Sequence, residues 1–325
     1  MVRSIAREWD VHVDGLGFIP AGQDSYAWAY EVHGRPARFF LKVRLGPIDP
    51  ATVLVPSYLR DRGLHSVVAP IPTASGAPWH ELGDYRLLLY PFVAGATAAR
   101  RGLSDAQWIA YGRFLSALHA VELPAKLADV VPAETFRTSQ IAGLHAVTER
   151  VRQGHFDDAP KQAVARLWHQ RAAQIATIAR RTEELAPLAA AQEQPYVLCH
   201  ADIHRANLIV DDDVDIHVVD WDQPIHAPRE RDLMFVIGSS IAAAPPDDHQ
   251  QALFWRGYGA IEVNWPILAY YRYDWAVQDL ADFAARVFFR DDLGGRTKDV
   301  AAITLSHLFE PGDEVDMALA SERHL

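Results

Sequence analysis

The residues best suited to chemistry lie in one run, VLCHADIHRANLIVDDDVDIHVVDWD, between Val197 and Asp222. An apolar strand at Val197–Cys199 delivers His200, Asp202, His204 and Asn207 onto a loop. Leu208–Val210 and Ile216–Val219 then read as a hairpin turned at Asp211–Asp215, which carries Asp220 and Asp222 back toward Asp202. A carboxylate, an amide five residues on, and a second carboxylate beyond a hairpin are the set that phosphoryl transfer needs. One carboxylate, Asp202, takes or orients the proton of an acceptor hydroxyl. The amide oxygen of Asn207 and the carboxylate of Asp220 are hard donors that suit Mg²⁺ on nucleotide phosphates.

Two plainer readings compete with this one. An Asp and an Asn at that spacing are common in ordinary turns. His200, Asp202 and His204 alternate, so on a strand they share a face and could ligate a transition metal. No second His/Cys cluster stands out to complete such a site. The joint pattern of strand, loop, hairpin and paired aspartates is more specific than any of its parts.

Such residues need elements that hold a nucleotide opposite them. No G-x4-G-K-[ST] run occurs, so the chain is not a P-loop enzyme. Val11–Ile19, Tyr26–Val32, Phe39–Val43 and Arg86–Phe92 read as β-strands split by Gly and Pro, with one helix within Ala51–Arg62 ending at Gly63. Lys42 ends the run Phe39–Leu41 on a strand. If it faces inward it needs anionic company, and ATP phosphates supply it; the plain alternative is a surface lysine reaching water. The loop from Pro20 to Ser25 separates two strands, which places Gly22, Gln23 and Ser25 over the phosphates and lets Asp24 reach an acceptor. Tyr90, Phe92 and Val93 lie where the β-rich part ends, and backbone groups there could pair with adenine. Beyond Gly95 the pattern is helical: Ser104 and Gln107 have capping-box spacing, and Trp108, Tyr111, Leu115 and Leu118 recur on one face. One long helix is predicted over Lys161–Leu185 and another over Tyr273–Arg290. The domain reading is a nucleotide-binding lobe at 1–92 and a catalytic, acceptor-binding lobe at 93–325.

Composition narrows the partners. The chain has 325 residues, 50% of them hydrophobic, and a net charge of -11. The first hundred residues carry 9 acids and 10 bases, the remainder 33 acids and 21 bases. An acidic chain without a basic patch argues against nucleic acid and anionic membranes. The single cysteine, Cys199, removes internal disulfides and multi-cysteine metal sites. No apolar run is long enough to span a bilayer, and the charged start does not read as a signal peptide. A cytoplasmic monomer is expected.

His200-Ala201-Asp202-Ile203-His204-Arg205-Ala206-Asn207 resembles the catalytic loop of the aminoglycoside phosphotransferases, and Val219-Asp220-Trp221-Asp222 resembles their metal-binding segment. Val197–His200, Ala227–Phe235, and Tyr270-Tyr271-Arg272 followed by Asp279-Leu280-Ala281 resemble, more narrowly, the members that act on spectinomycin. The resemblance implies an α+β, two-lobed, protein-kinase-like fold, with a small β-rich lobe and a larger helical one. It implies ATP and Mg²⁺, with Asp202 as catalytic base, Asn207 and Asp220 on the metal, and Lys42 on the phosphates. The acceptor it implies is a cationic aminocyclitol or aminoglycoside antibiotic, above all spectinomycin, whose phosphorylation confers resistance. One departure matters. Kinase-like folds pair the strand lysine with a helix glutamate, yet residues 45–60 contain no Glu and one acid, Asp49. Lys42 therefore pairs with Asp49 or with no helix acid at all.

The acceptor side is read from acids beside aromatics, which suit a protonated amine. Asp24, His204, Asp222, Tyr271, Asp279 and Asp282 are the candidates, Asp279 and Asp282 sharing a helix face with Trp275 and Arg286. Asp282 and Arg286 are also spaced as a plain i, i+4 surface pair. Kinases of choline, homoserine or a sugar have the same catalytic loop, and a cationic metabolite fits acidic walls equally well. A catalytically silent nucleotide sensor and a metal hydrolase are the readings from other classes.

Overall fold

The structure is a computed structural model that describes residues 1–20, 26–138, 140–212 and 214–325. Helix α1 (Val2–Glu8) precedes the strands β1 (His12–Ile19), β2 (Ala27–Arg35) and β3 (Phe39–Leu45), helix α2 (Ala51–Asp61), and strands β4 (His80–Leu82) and β5 (Tyr85–Pro91). After β6 (Ala96–Thr97) come α3 (Ala98–Arg101), α4 (Asp105–His119), α5 (Ala125–Ala128), α6 (Ile141–Arg152), α7 (Ala159–Gln170) and α8 (Ala172–Ala190). Four short strands follow, β7 (Tyr196–Cys199), β8 (Leu208–Val210), β9 (Ile216–Val218) and β10 (Ile225–Pro228). The chain ends in α9 (Glu230–Leu233), α10 (Asp248–Tyr258), α11 (Trp265–Phe288), α12 (Gly295–His307) and α13 (Glu314–Ala320).

Two compact units result. The first comprises Met1–Pro132, Leu198–His226 and Ala252–Gly259, and the second the remaining segments. Within the first unit, β1 to β5 form an antiparallel sheet in the order β1-β2-β3-β5-β4. Strand alternation sorts β3 into two faces. Leu41 and Val43 join Ile5, Trp9, Val32, Leu87 and Leu89 in a buried cluster beside α1. Phe40, Lys42 and Arg44 point to the opposite face. The register sets Phe40 against Tyr90 on β5, so Tyr90 shares that face with Lys42. The second unit is almost wholly helical, with α11 packed against α6, α8, α12 and α13.

The sequence expectations hold for β1, β2, β3, β5, α2 and the hairpin of β8 and β9. Two helices differ. The single helix expected over Lys161–Leu185 is two, α7 and α8, broken at Arg171 with φ -104° and ψ 9°. The helix expected to start at Tyr273 starts at Trp265, capped by Asn264, whose side chain accepts a hydrogen bond from Ile267 N. The short elements α1 and β4 were not anticipated.

Helix α4 is the beam under the loop that carries Asp202. Ser104 and Gln107 form the expected capping box, and Trp108, Tyr111, Leu115 and Leu118 are all 2% exposed or less. The Tyr111 hydroxyl donates to the carbonyl of Ile203, in that loop, at 2.7 Å. Two glycines let another helical stretch lie against this beam. A Cβ on Gly112 would stand 2.1 Å from the Phe254 carbonyl oxygen, and one on Gly257 would stand 2.0 Å from that of Ile109. Backbone cannot yield as a side chain does, so the helices must part. Gly112→Ala is expected to destabilise the chain by about 3 kcal/mol, the upper range for an overpacked site. Chemical denaturation measures it; a loss below about 1 kcal/mol would show that the contact is softer than this.

Candidate active site

The described residues expected on the nucleotide side and in catalysis belong to the first unit. Strand β7 ends at Cys199, and the backbone turns through Ala201 at φ 68°. Pairing of β8 with β9 sets Leu208 against Val218 and returns the chain to Asp220, itself at φ 65°. Two non-glycine residues in the left-handed region within one site mark a backbone held by its surroundings. His200 does much of the holding. It is fully buried. Its Nδ1 accepts from the Asp202 amide at 3.3 Å and its Nε2 donates to the Val219 carbonyl at 3.0 Å, which fixes the tautomer. Both ring nitrogens thus tie the loop to the strand end and face the chain. Trp221 packs on the same ring, with centroids 4.5 Å apart.

Asp202 sits between two polar neighbours. Asn207 Nδ2 donates to the Asp202 carbonyl at 2.8 Å and to its carboxylate Oδ2 at 3.1 Å. His204 Nε2 lies 3.3 Å from Oδ1. With its amide nitrogen engaged in this way, Asn207 has its oxygen to offer a cation. That oxygen and the Asp220 carboxylate are a hard donor pair that fits Mg²⁺.

Among the described residues Lys42 pairs with no helix acid, the second of the two expectations. Asp49 accepts from the Ala51 amide at 2.9 Å, at the start of α2. Lys42 Nζ instead donates to Asp220 Oδ1 at 2.9 Å and to Asp222 Oδ2 at 2.6 Å, and Arg44 Nη1 lies 3.3 Å from the same Asp222 oxygen. Burial by itself would lower the lysine's pKa. The charges of Asp220 and Asp222 outweigh it and hold the ammonium above its ordinary value. Burial also works against the Asp220 carboxylate, and Lys42 beside it brings the net shift below the usual range.

Tyr90 is half-buried on this face, with Phe40 edge-on at 6.1 Å, and burial raises its hydroxyl. The Phe92 amide donates to the Arg38 carbonyl at 3.4 Å, and the Arg38 guanidinium lies 4.2 Å over the Phe92 ring. Val93 follows just beyond the strand end. Gly22, Gln23, Asp24 and Ser25 lie outside the described residues.

Tyr271, Asp279 and Asp282 belong to the second unit. Tyr271 is 2% exposed; its ring stacks on Phe136. The Arg231 guanidinium lies 5.6 Å from the Tyr271 ring, 5.2 Å from Trp275 and 6.0 Å from Phe235. Those aromatic faces, sought for an acceptor amine, therefore carry a cation of the chain itself. Asp282 is exposed and pairs with Arg286, the i, i+4 arrangement. Asp279 lies against Glu314, whose carboxyl is pushed well above the usual range by burial first and by the Asp279 charge second. The sequence reading missed Asp274, which accepts from Gln278 Nε2 at 2.7 Å.

Burial raises Asp274 to about 6 against the pull of Arg231. A carboxyl raised on folding stabilises the native state in full below its unfolded pKa, and that contribution is gone once the pH has risen through the folded one. Wild type is therefore expected to lose about 3 kcal/mol relative to Asp274→Asn between roughly pH 4 and 7, at about 1.4 kcal/mol per unit. Denaturation curves of the two proteins across that range measure the difference, and parallel curves would contradict it.

A family model described as the phosphotransferase enzyme family matches residues 20–271. Protein StrN of Streptomyces griseus is 27% identical over 289 residues, 85% of this chain and 81% of that protein. The crystal structure of spectinomycin phosphotransferase in complex with ADP and spectinomycin matches with a TM-score of 0.90 at 26% identity, covering 99% of this chain and 97% of that one. Ethanolamine kinase of Plasmodium vivax, 16% identical, matches with a TM-score of 0.56 over 92% of this chain and 83% of that one, a likeness of fold alone. The α+β, two-lobed, kinase-like fold expected from the sequence is the fold observed. No helix among the described residues is long and apolar enough to cross a membrane.

Proposed function

Because the chain belongs to the phosphotransferase enzyme family, we propose that it transfers the γ-phosphoryl group of ATP to a hydroxyl of an aminocyclitol antibiotic, with spectinomycin as the first acceptor to test. The observation that carries this reading is the Asp202 carboxylate, held between Asn207 and His204 on a loop whose hairpin brings Asp220 to Lys42.

The chemistry follows from what each group can do. Asp202 accepts the proton of the acceptor hydroxyl as the oxygen attacks phosphorus. The new O–P bond forms as the bond from phosphorus to the β,γ-bridging oxygen breaks, and ADP leaves with that electron pair. Lys42 supplies positive charge to the phosphates. Asn207 and Asp220 would hold Mg²⁺, which when bound offsets phosphate charge. The His204 ring beside Asp202 keeps that carboxylate oriented. An acidic chain is also a compatible host for a polycationic acceptor.

The experiment is mass spectrometry of spectinomycin incubated with the purified chain and Mg-ATP. Choline, ethanolamine, homoserine and a sugar run alongside. A phosphoryl increment on spectinomycin, with a kcat/KM above that for the other acceptors, is the expected result. Preferential phosphorylation of another acceptor would move the protein to that substrate class. Mg-ATP binding without turnover on any hydroxyl would contradict the enzyme reading.

A further inference from the structure

Kinase-like folds hold the strand lysine with a helix glutamate, and this chain has no such residue to offer. Helix α2 carries no Glu, and Asp49 is engaged at its start. Two carboxylates remain beside Lys42. Asp220 is also one of the two donors assigned to the cation, so its charge is shared. Asp222 is not in that donor set. Its Oδ2 is the nearer to Lys42 Nζ, at 2.6 Å against 2.9 Å for Asp220. It is held from the other side by Arg44 at 3.3 Å. Arg44 lies two residues beyond Lys42, so both cations stand on the same face of β3 and converge on one oxygen.

We infer that Asp222 is the residue that positions Lys42 for the nucleotide phosphates, with Arg44 as its second anchor, in place of a helix glutamate. A lysine side chain has many rotamers, and a fixed counter-charge removes most of them. The pairing also gives Asp222 a role other than contact with an acceptor, since the oxygen that would meet an acceptor amine is already shared by two cations. The inference rests on the phosphotransferase reading and names a positioning residue within that site.

Calorimetry with magnesium and a non-hydrolysable ATP analogue tests it without any acceptor. The proteins are the full-length chain and its Asp222→Asn, Lys42→Met and double variants, each checked for native circular dichroism. Arg44→Gln serves as a second route to the same carboxylate. Asp222→Asn is expected to weaken binding at least fivefold, and Arg44→Gln to weaken it by less. The double variant is expected to bind within twofold of Lys42→Met alone, because Asp222 acts through Lys42. A merely structural role would not produce that non-additivity. Equal or tighter binding by Asp222→Asn would overturn the inference, as would losses that multiply in the double variant. A wild-type chain that binds no nucleotide would instead remove the phosphotransferase reading and this inference with it.

Discussion

Asp202→Asn is expected to lower phosphoryl transfer about a thousandfold while leaving the fold and nucleotide binding in place. The figure is the middle of the range for losing a positioned general base. The substitution keeps the shape of the side chain and removes the one property the chemistry uses, the capacity to take a proton. The local structure has reason to survive. Asn207 Nδ2 also donates to the Asp202 backbone carbonyl, which the substitution does not touch. The Asp202 amide keeps its bond to His200 Nδ1. An amide oxygen at 202 can still accept from Asn207, and its NH₂ can face the His204 ring. Steady-state kinetics with calorimetry on the same protein separate the two effects. Turnover near wild type would leave Asp202 without its assigned role.

The geometry of the segment from Val197 to Asp222 was legible because it is local. Within 26 residues the strand, loop and hairpin specify their own geometry, so the placement of Asp202, Asn207 and Asp220 follows from turn chemistry and strand pairing. The partner of Lys42 was not legible for the opposite reason. Asp220 and Asp222 lie 178 and 180 residues away in sequence, and spacing carries no information over such a span once the helix glutamate is missing. The start of α11 shows a different failure. Ile267 through Tyr273 are buried without interruption, so the segment has no polar face and no 3.6-residue period to read. The signal that was available is Asn264 followed by Trp265 and Pro266, a capping residue with proline in the first turn. At Arg171 the periodicity continues across a break of a single residue. A pattern averaged over several turns cannot register it.

The surroundings of the acids and aromatics on α11 were the least legible, and burial explains why. Acid and aromatic residues on one helix suggest a cation site, but the pattern cannot say which cation. In the second unit the rings of Phe235, Tyr271 and Trp275 surround Arg231, a residue forty positions before Tyr271 in the chain. Asp282 meets Arg286 at the surface. Asp274, whose carboxyl the interior alters most clearly among the acids of α11, neighbours Trp275 yet falls off the i, i+3, i+7 set on which the reading relied.

Asp220→Asn is expected to abolish turnover to a similar degree as the Asp202 change, by a different route that a second variant makes visible. The carboxylate meets Lys42 and, in the proposed reaction, would serve the cation as well. Replacing it with an amide removes a charged donor from a two-donor protein set. Losses of 10- to 100-fold in metal affinity are usual even for groups behind the ligands, so the apparent Mg²⁺ affinity should fall at least tenfold. Lys42 loses one carboxylate and keeps the other, Asp222. The backbone at 220 sits at φ 65°, a region that Asn enters as readily as Asp but that costs alanine about 1–2 kcal/mol. Asp220→Asn and Asp220→Ala should thus be equally inactive and differ in stability by about 1 kcal/mol, the alanine protein being the weaker. If loss of activity came from a disturbed backbone instead, the alanine variant would be the less active of the two, and magnesium titration of the asparagine protein would match wild type. Equal inactivity, unequal stability and a raised magnesium requirement together assign the role of Asp220 to its charge.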